Sequence, residues 1–318
     1  MSKKLTILDI AKLAGVGKST VSRVLTNDPK VKPQTREKVE QIIRESGYVP
    51  SKSAQSMRGG SQKVIGGVII SRLDSPSENR AVGTMLNALY SAGYDAVIME
   101  SQFDRDKTNE HLDVLKRRNV DGGVIVFGFT GCDERALAEW GGNRIVVIAM
   151  DTQMVSSINY DNQGVIDMAL SHLEQQSLSR IAYIGVDPED KTTGLARLNA
   201  YKAWCQRKQI APCFQTGKLS HESAYQLVDK VLQSDTQAIV CASDTIALGV
   251  IKRLQELGRE DVVVTGVGGN ELLSFLFPKV FSVDPGYTLA GEKSANMLIN
   301  QLNGDEEVVH FTQQPIVY

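Results

Sequence analysis

Residues 5–25, LTILDIAKLAGVGKSTVSRVL, admit two readings that lead to different proteins. Gly17-Lys18-Ser19 could close a phosphate-cradling loop, which would make the chain a nucleotide hydrolase. Such a loop needs a leading glycine five positions before Gly17, so that backbone N–H groups turn inward around phosphate. Lys12 stands there. It also needs a buried strand before it, whereas Leu8, Ala11 and Ala14 are spaced along one face of a helix. The nucleotide reading fails on both counts.

The same residues fit a helix pair. Thr6 followed by Asp9 is a helix-start signal, in which the hydroxyl accepts a first-turn N–H and the carboxylate favours the positive helix end. A helix is therefore expected from Ile7, with Gly15 supplying the tight turn after it. The next stretch places Val21, Val24 and Leu25 inward, and Lys18, Ser19, Ser22 and Arg23 on a compact polar face able to touch bases. The bland alternative is an ordinary solvated helix pair. A third helix is expected around Gln34 to Ser46, ended by Gly47 and Pro50.

Charge separates this end of the chain from the rest. Residues 1–60 hold twelve Lys or Arg against five Asp or Glu, about +7, leaving 23 basic and 32 acidic residues, about −9, for the remainder. A positive domain gains affinity for double-stranded DNA by counterion release, and a negative remainder avoids the backbone. The 318 residues are enough for two or so domains, and 42% apolar content argues against disorder.

Four cysteines (Cys132, Cys205, Cys213, Cys241) lie at irregular spacing without a C-x-x-C pair. Neither a disulfide framework, a metal site nor a cofactor is expected. No apolar run has the length of a signal peptide or of a membrane span, so a cytoplasmic protein is expected.

SKSAQSMRGG (51–60) is too short and polar to hold a helix alone. It reads as a hinge that folds on contact, wedging Met57 between base steps of a minor groove with Lys52 and Arg58 near phosphate and Ser53 also on the DNA side. The alternative is a plain flexible linker.

From Lys63 onward, short apolar strands (VIGGVII, YDAVIME, GGVIVF, RIVVIAM, then RIAYIGV, QAIVCA, DVVVTGV, VFSVD) alternate with amphipathic helices. Continuous apolar strands of this kind belong to parallel sheets covered on both faces. Four units, a polar break at 156–162 and about four more predict two doubly wound lobes. The expected α/β architecture is a three-helix domain at 1–49, a hinge at 50–61 and a ligand-binding domain at 62–318. Its first lobe would take about 62–159 plus 286–311, its second about 160–285 plus the C-terminal end. Ligand is expected in the cleft beyond the carboxyl ends of the strands.

LTILDIAKLAGVGKSTVSRVL, YVPSKSAQSMR, RLNAYKAW and CASDTIALG together resemble the lac and galactose repressor family of bacterial transcription factors over the whole chain. SRLDSPSEN, MESQF, VLKRRNVDGGVIVFGFTG and SVDPGY are similar to the trehalose-responsive branch of that family, which implies trehalose 6-phosphate as inducer. The resemblance implies a reading helix in the major groove, with Lys18 and Ser19 reading bases, Thr20 and Ser22 on phosphate or base edges, and Arg23 on guanine. Thr6, Asn27 and Tyr48 would position the backbone. The intercalating hinge residue is usually Leu, so Met57 is a departure that keeps an apolar wedge.

In the cleft, the resemblance implies Arg197 as a bidentate donor to sugar hydroxyls and Asp151 as a hydroxyl acceptor. Asn270 follows a strand where many relatives carry Asp, and Ser243-Asp244 replaces the common Asn-Asp. Asp284 is expected near a lobe crossover. Arg72, after the first strand, could present its guanidinium to a ligand phosphate, or form a hinge or surface salt bridge. Asp74 and Glu78 could accept sugar hydroxyls, and Phe127 or Phe129 could stack on a sugar face. Met150 stands where the trehalose branch places a second phosphate-binding arginine.

By linkage, a ligand that changes the angle between the lobes would shift the hinge and hence DNA affinity. With no heptads after FTQQPIVY, a homodimer is expected on half-sites about one helical turn apart. A sugar-phosphate enzyme would need an acid–base constellation, and His111, His172, His221 and His310 are scattered. A transport receptor would share the lobes but would need an export signal and no basic reading helix.

Overall fold

The computed structural model describes residues 5–25, 28–46, 48, 65–118, 122–128, 133–140 and 144–316. The expected hinge at 50–61 lies outside the described residues, as do Asn27, Lys52, Ser53, Met57, Arg58 and Phe129. The chain divides into two units, Met1–Lys63 and Val64–Tyr318.

In the first unit, α1 (Ile7–Ala14), α2 (Lys18–Leu25) and α3 (Pro33–Ser46) enclose a small core. Thr6 caps α1 through a reciprocal box: the Asp9 N–H meets its hydroxyl, and Asp9 Oδ2 accepts from the Thr6 N–H at 2.8 Å. Gly15 ends the helix at φ 64, where its N–H reaches the Ala11 and Lys12 carbonyls. Ile10, Ala11 and Ala14 face inward, and Leu8 is 53% exposed. Leu8 is thus off the buried stripe assigned to it from spacing, because Ile7 and Ile10 set the inward angle of this short helix.

In the second unit the chain runs β1 (Ile65–Ile70), α4 (Pro76–Ser91), β2 (Asp95–Glu100), α5 (Arg105–Arg117), β3 (Val124–Phe127), α6 (Glu134–Ala138), β4 (Ile145–Ile148) and β5 (Ser156–Tyr160). It continues through α7 (Asn162–Gln175), β6 (Ile181–Val186), a π-helical turn (Lys191–Ala196), α8 (Arg197–Lys208), β7 (Phe214–Gly217), α9 (His221–Val231), β8 (Ala238–Cys241), α10 (Asp244–Glu256), β9 (Val263–Val267), α11 (Glu271–Leu276) and β10 (Phe281–Val283). It then returns through α12 (Tyr287–Leu302) and β11 (His310–Gln313). Two sheets result, ordered β11-β5-β4-β3-β1-β2 and β10-β9-β8-β6-β7, and every paired register is parallel.

The stretch read as a polar break corrects to a buried strand, β5. Its serines are satisfied inside: Ser156 Oγ accepts from Gln301 Nε2 and the Val309 N–H, and Ser157 Oγ bonds His310 Nδ1. Polar side chains with partners can be buried, and hydropathy alone does not see the partners. The chain passes between the sheets after β5 and after β10. A third passage follows β11, where Ile316 bridges Asp284.

Candidate functional site

A cleft of about 270 Å³ opens where the strands of both sheets end. From the first sheet, the turn after β1 and the start of α4 supply Arg72, Asp74, Ser75, Ser77, Glu78 and Arg80, and the turn after β2 supplies Phe103. From the second come Asp190 and Thr193 after β6, Arg197 at the head of α8, His221 after β7, Ser243 and Asp244 after β8, and Gly268 and Asn270 after β9. Tyr287 closes the floor from α12. Strand ends converge on such a cleft because side chains there are free of the ladder while the sheet holds their backbone.

Arg197 is 1% exposed, and its hydrogen bonds go to two neutral oxygens: Nε to Asn162 Oδ1 at 2.8 Å and Nη1 to the Ala242 carbonyl at 2.5 Å. A buried guanidinium whose hydrogen bonds go only to neutral oxygens is costly even with the Asp244 charge in the same cleft, and it is tolerated where its remaining donors serve a ligand. Arg72 is different. It pairs edge-on with Asp74, Nε to Oδ1 at 2.7 Å and Nη2 to Oδ2 at 2.6 Å, with 41% of its side chain in solvent. That pair uses two of five N–H donors and leaves three for another anion.

Glu78 is buried and accepts from the Ser71 N–H at 2.7 Å. Burial pushes its carboxyl up to about 7, against the pull of backbone N–H groups and Arg72. The folded chain therefore holds this proton more tightly than the unfolded chain. The associated stability is fully present below about pH 4.5 and is lost as pH rises through about 7. Glu78→Gln, which cannot ionise, is expected to remove that decline, about 3 kcal/mol at its upper bound, from melting curves between pH 5 and 8. Parallel curves for both proteins would contradict it.

The remaining polar groups are partly committed. Asp244 accepts from the Asn270 N–H at 2.8 Å and from Ser282 Oγ at 2.6 Å, and burial pushes its carboxyl up. Asn270 Oδ1 caps α11, and Ser243 Oγ caps α10. Asp190 caps the π-helical turn that leads into Arg197.

Three expectations need correction. Phe127 is buried in the first-sheet core, because its position in β3 turns it onto the covering helices, and it does not line the cleft. Asp151 is exposed and outside the lining: Ala149 takes φ 59 just after β4, and the chain swings Asp151 to solvent. Asp284 lies at a crossover but faces Arg80 and the Gly286 N–H instead of the cavity. Among the lining residues not anticipated, Phe103, Asp190, Thr193, His221 and Tyr287 follow strand ends, whereas Arg80 stands on the second turn of α4. For the first five, the position just beyond the carboxyl ends of parallel strands is the feature of the sequence that marks them.

In the first unit, α2 presents Lys18, Ser19 and Arg23 to solvent, with Thr20 and Ser22 half-buried. Arg23 Nε lies 3.8 Å from Asp28. Tyr48 is buried in the three-helix core at 9% exposure, which leaves little of it for a DNA backbone. The Thr6 hydroxyl is occupied by Asp9 at 2.7 Å. Among the described residues there is no cluster that could hold a metal ion and no helix long and apolar enough to cross a membrane.

A three-helix unit with a polar reading helix, carried in one chain with a two-lobed cleft, defines a ligand-responsive DNA-binding protein. Residues 6–51 match the model of bacterial regulatory proteins of the lacI family, and residues 170–317 match a periplasmic binding protein-like domain. The chain is 46% identical over 304 residues to the HTH-type transcriptional regulator TreR of Salmonella typhimurium, covering 96% of each. It is 46% identical over 307 residues to TreR of Escherichia coli, again over 96% of each. The solved trehalose repressor from Escherichia coli superposes at a TM-score of 0.78 with 41% identity, over 80% of this chain and all of that one. A lac repressor structure matches the fold at a TM-score of 0.82 over 99% of this chain and 98% of that one, at 22% identity. The chain belongs to the LacI family of bacterial transcription regulators. It is a DNA-binding regulator of transcription, not an enzyme.

Proposed function

We propose that the chain represses a trehalose operon from the cytoplasm and releases its operator when trehalose 6-phosphate occupies the cleft. One observation carries this reading: a buried guanidinium, Arg197, held by neutral oxygens on the second-lobe side, in the same cleft as a solvent-accessible one, Arg72, on the first-lobe side. Arg197 suits vicinal hydroxyls, and Arg72 suits a phosphate that competes with or shares Asp74. Glu78, Asp190, Asp244 and the Asn270 amide offer further hydroxyl partners. Lys18, Ser19, Thr20, Ser22 and Arg23 would read the operator, and residues 50–61 would act as the hinge between the DNA-binding and effector domains.

A second copy of the chain is the expected partner. Leu272, Phe275 and Leu276 on α11 are 64%, 82% and 55% exposed, an apolar face that a homodimer would cover. Two reading helices would then meet half-sites about one helical turn apart.

A non-phosphorylated sugar is the second reading. It is favoured by Met150, an apolar residue 8% exposed, at the position where the trehalose branch of the family carries a cation. Calorimetry with trehalose 6-phosphate, trehalose and glucose separates the two. The phosphate ester is expected to bind tightest, and Arg72→Ala to weaken it at least tenfold, about 1.4 kcal/mol. Equal affinities for trehalose and its phosphate, untouched by Arg72→Ala, would give the site to an uncharged sugar.

A further inference from the structure

The cleft wall after β9 is not held by its own lobe alone. Arg80, on the second turn of α4 in the first lobe, reaches across to the second. Its Nη1 donates to the Gly268 carbonyl and, at 3.0 Å, to the Gly269 carbonyl; its Nη2 donates to Asp284 Oδ2 at 2.7 Å. Asp284 is itself fixed at the crossover by the Gly286 N–H at 2.8 Å, and its carbonyl accepts from the Ile316 N–H at 2.8 Å. The loop on the other side of Arg80 is tied to the cavity. The Gly269 N–H donates to Ser282 Oγ, Ser282 Oγ donates to Asp244 Oδ1, and the Asn270 N–H donates to Asp244 Oδ2. One first-lobe cation thus grips three second-lobe oxygens, and the residue that follows the gripped pair, Asn270, faces the cleft and is bonded to Asp244.

Resting on the reading of the cleft as the effector site, we propose that Arg80 is a positioning residue for the effector response. It fixes the Gly268–Asn270 wall against the first lobe, so that a ligand pulling on Asp244 or Asn270 changes the relation between the lobes and not merely a loop. A guanidinium suits the task because its planar fork reaches two adjacent carbonyls from Nη1 and a carboxylate from Nη2, whereas the three donors of an ammonium must all leave one nitrogen. Coupling between sites requires an element with distinct interactions in two states, and this clasp spans the boundary that must move.

The test uses the full-length chain and Arg80→Leu, which keeps apolar bulk and removes every donor. Without ligand, the amides of Gly268, Gly269 and Asn270 are expected to exchange hydrogen at least tenfold faster. The factor by which saturating trehalose 6-phosphate weakens binding to an operator selected from a random duplex pool is expected to fall at least fivefold, with the Kd for trehalose 6-phosphate changing less. Arg80→Lys, the gentler variant should the first misfold, is expected to lie between the two in both measurements. Wild-type exchange rates at these amides in the variants, or an operator response within twofold of wild type, would overturn the role of Arg80. A wild-type chain that ignores trehalose 6-phosphate would instead remove the effector assignment, and the ligand-free exchange rates would still decide whether Arg80 holds the wall.

Discussion

Arg197→Ala is expected to leave operator affinity within about threefold of wild type while trehalose 6-phosphate affinity falls roughly a hundredfold, leaving a permanently bound repressor. Hydrogen bonds to a charged donor contribute about 1.5–3 kcal/mol each, and losing the better part of two gives that factor. The variant also frees Asn162 and the Ala242 carbonyl, so some stability is lost with it. The two effects separate in the assay. Lost packing weakens operator and effector binding together, whereas a lost sugar contact weakens only the effector. Arg197→Lys sharpens the distinction: it retains the charge but cannot serve Asn162, Ala242 and two hydroxyls at once. Its effector affinity is expected to fall nearly as far as that of alanine. Full affinity in the lysine variant would show that charge, and not the fork, is what the site uses.

The parts of this fold legible in the sequence are those that depend on local pattern. Thr6, Asp9 and Gly15 announced α1 and its turn because caps and left-handed turns are encoded within a few residues. The apolar runs that became β3, β4, β6 and β8 were visible because both faces of those strands are covered. The strands that escaped are polar or lie at a sheet edge. β5 is buried through serines whose partners lie about 150 residues away, and β7, FQTG, is a half-buried edge strand. The cleft followed the same rule. Arg72, Glu78, Arg197 and Asp244 line it as strand-end residues, whereas Phe127 was assigned to a ligand on chemistry without its facing direction. Arg80 was invisible because its partners, Gly268, Gly269 and Asp284, lie about 190–200 positions further along the chain.

Gly291→Ala is expected to be strongly destabilising for the addition of a single methyl group. At this position α12 crosses α4 so closely that a Cβ would overlap the Ala81 carbonyl oxygen and lie 2.7 Å from both its carbon and Thr84 Oγ1. Two of those three atoms are backbone and cannot rotate away. Overpacking typically costs 1–3 kcal/mol, and an obstacle made of backbone puts this case at the upper end, about 3 kcal/mol. At roughly 2–4 °C per kcal/mol for a domain of this size, the melting temperature should drop by about 6–12 °C. Gly83→Ala, on α4 itself, is the control: nothing lies within 4 Å of its Cβ position, so the better helix former should stabilise by about 0.5–1 kcal/mol. The contrast bears on function because α4 carries Glu78 and Arg80. A methyl at Gly291 must push α4 outward or draw α12 back, and either movement displaces the Arg80 clasp. Gly291→Ala should therefore blunt the effector response as well as lower the melting temperature, although residue 291 does not line the cleft. Equal melting temperatures for the two alanine variants would mean that the helices part without cost, and the tight α4–α12 contact could not then be what holds the first-lobe wall in place.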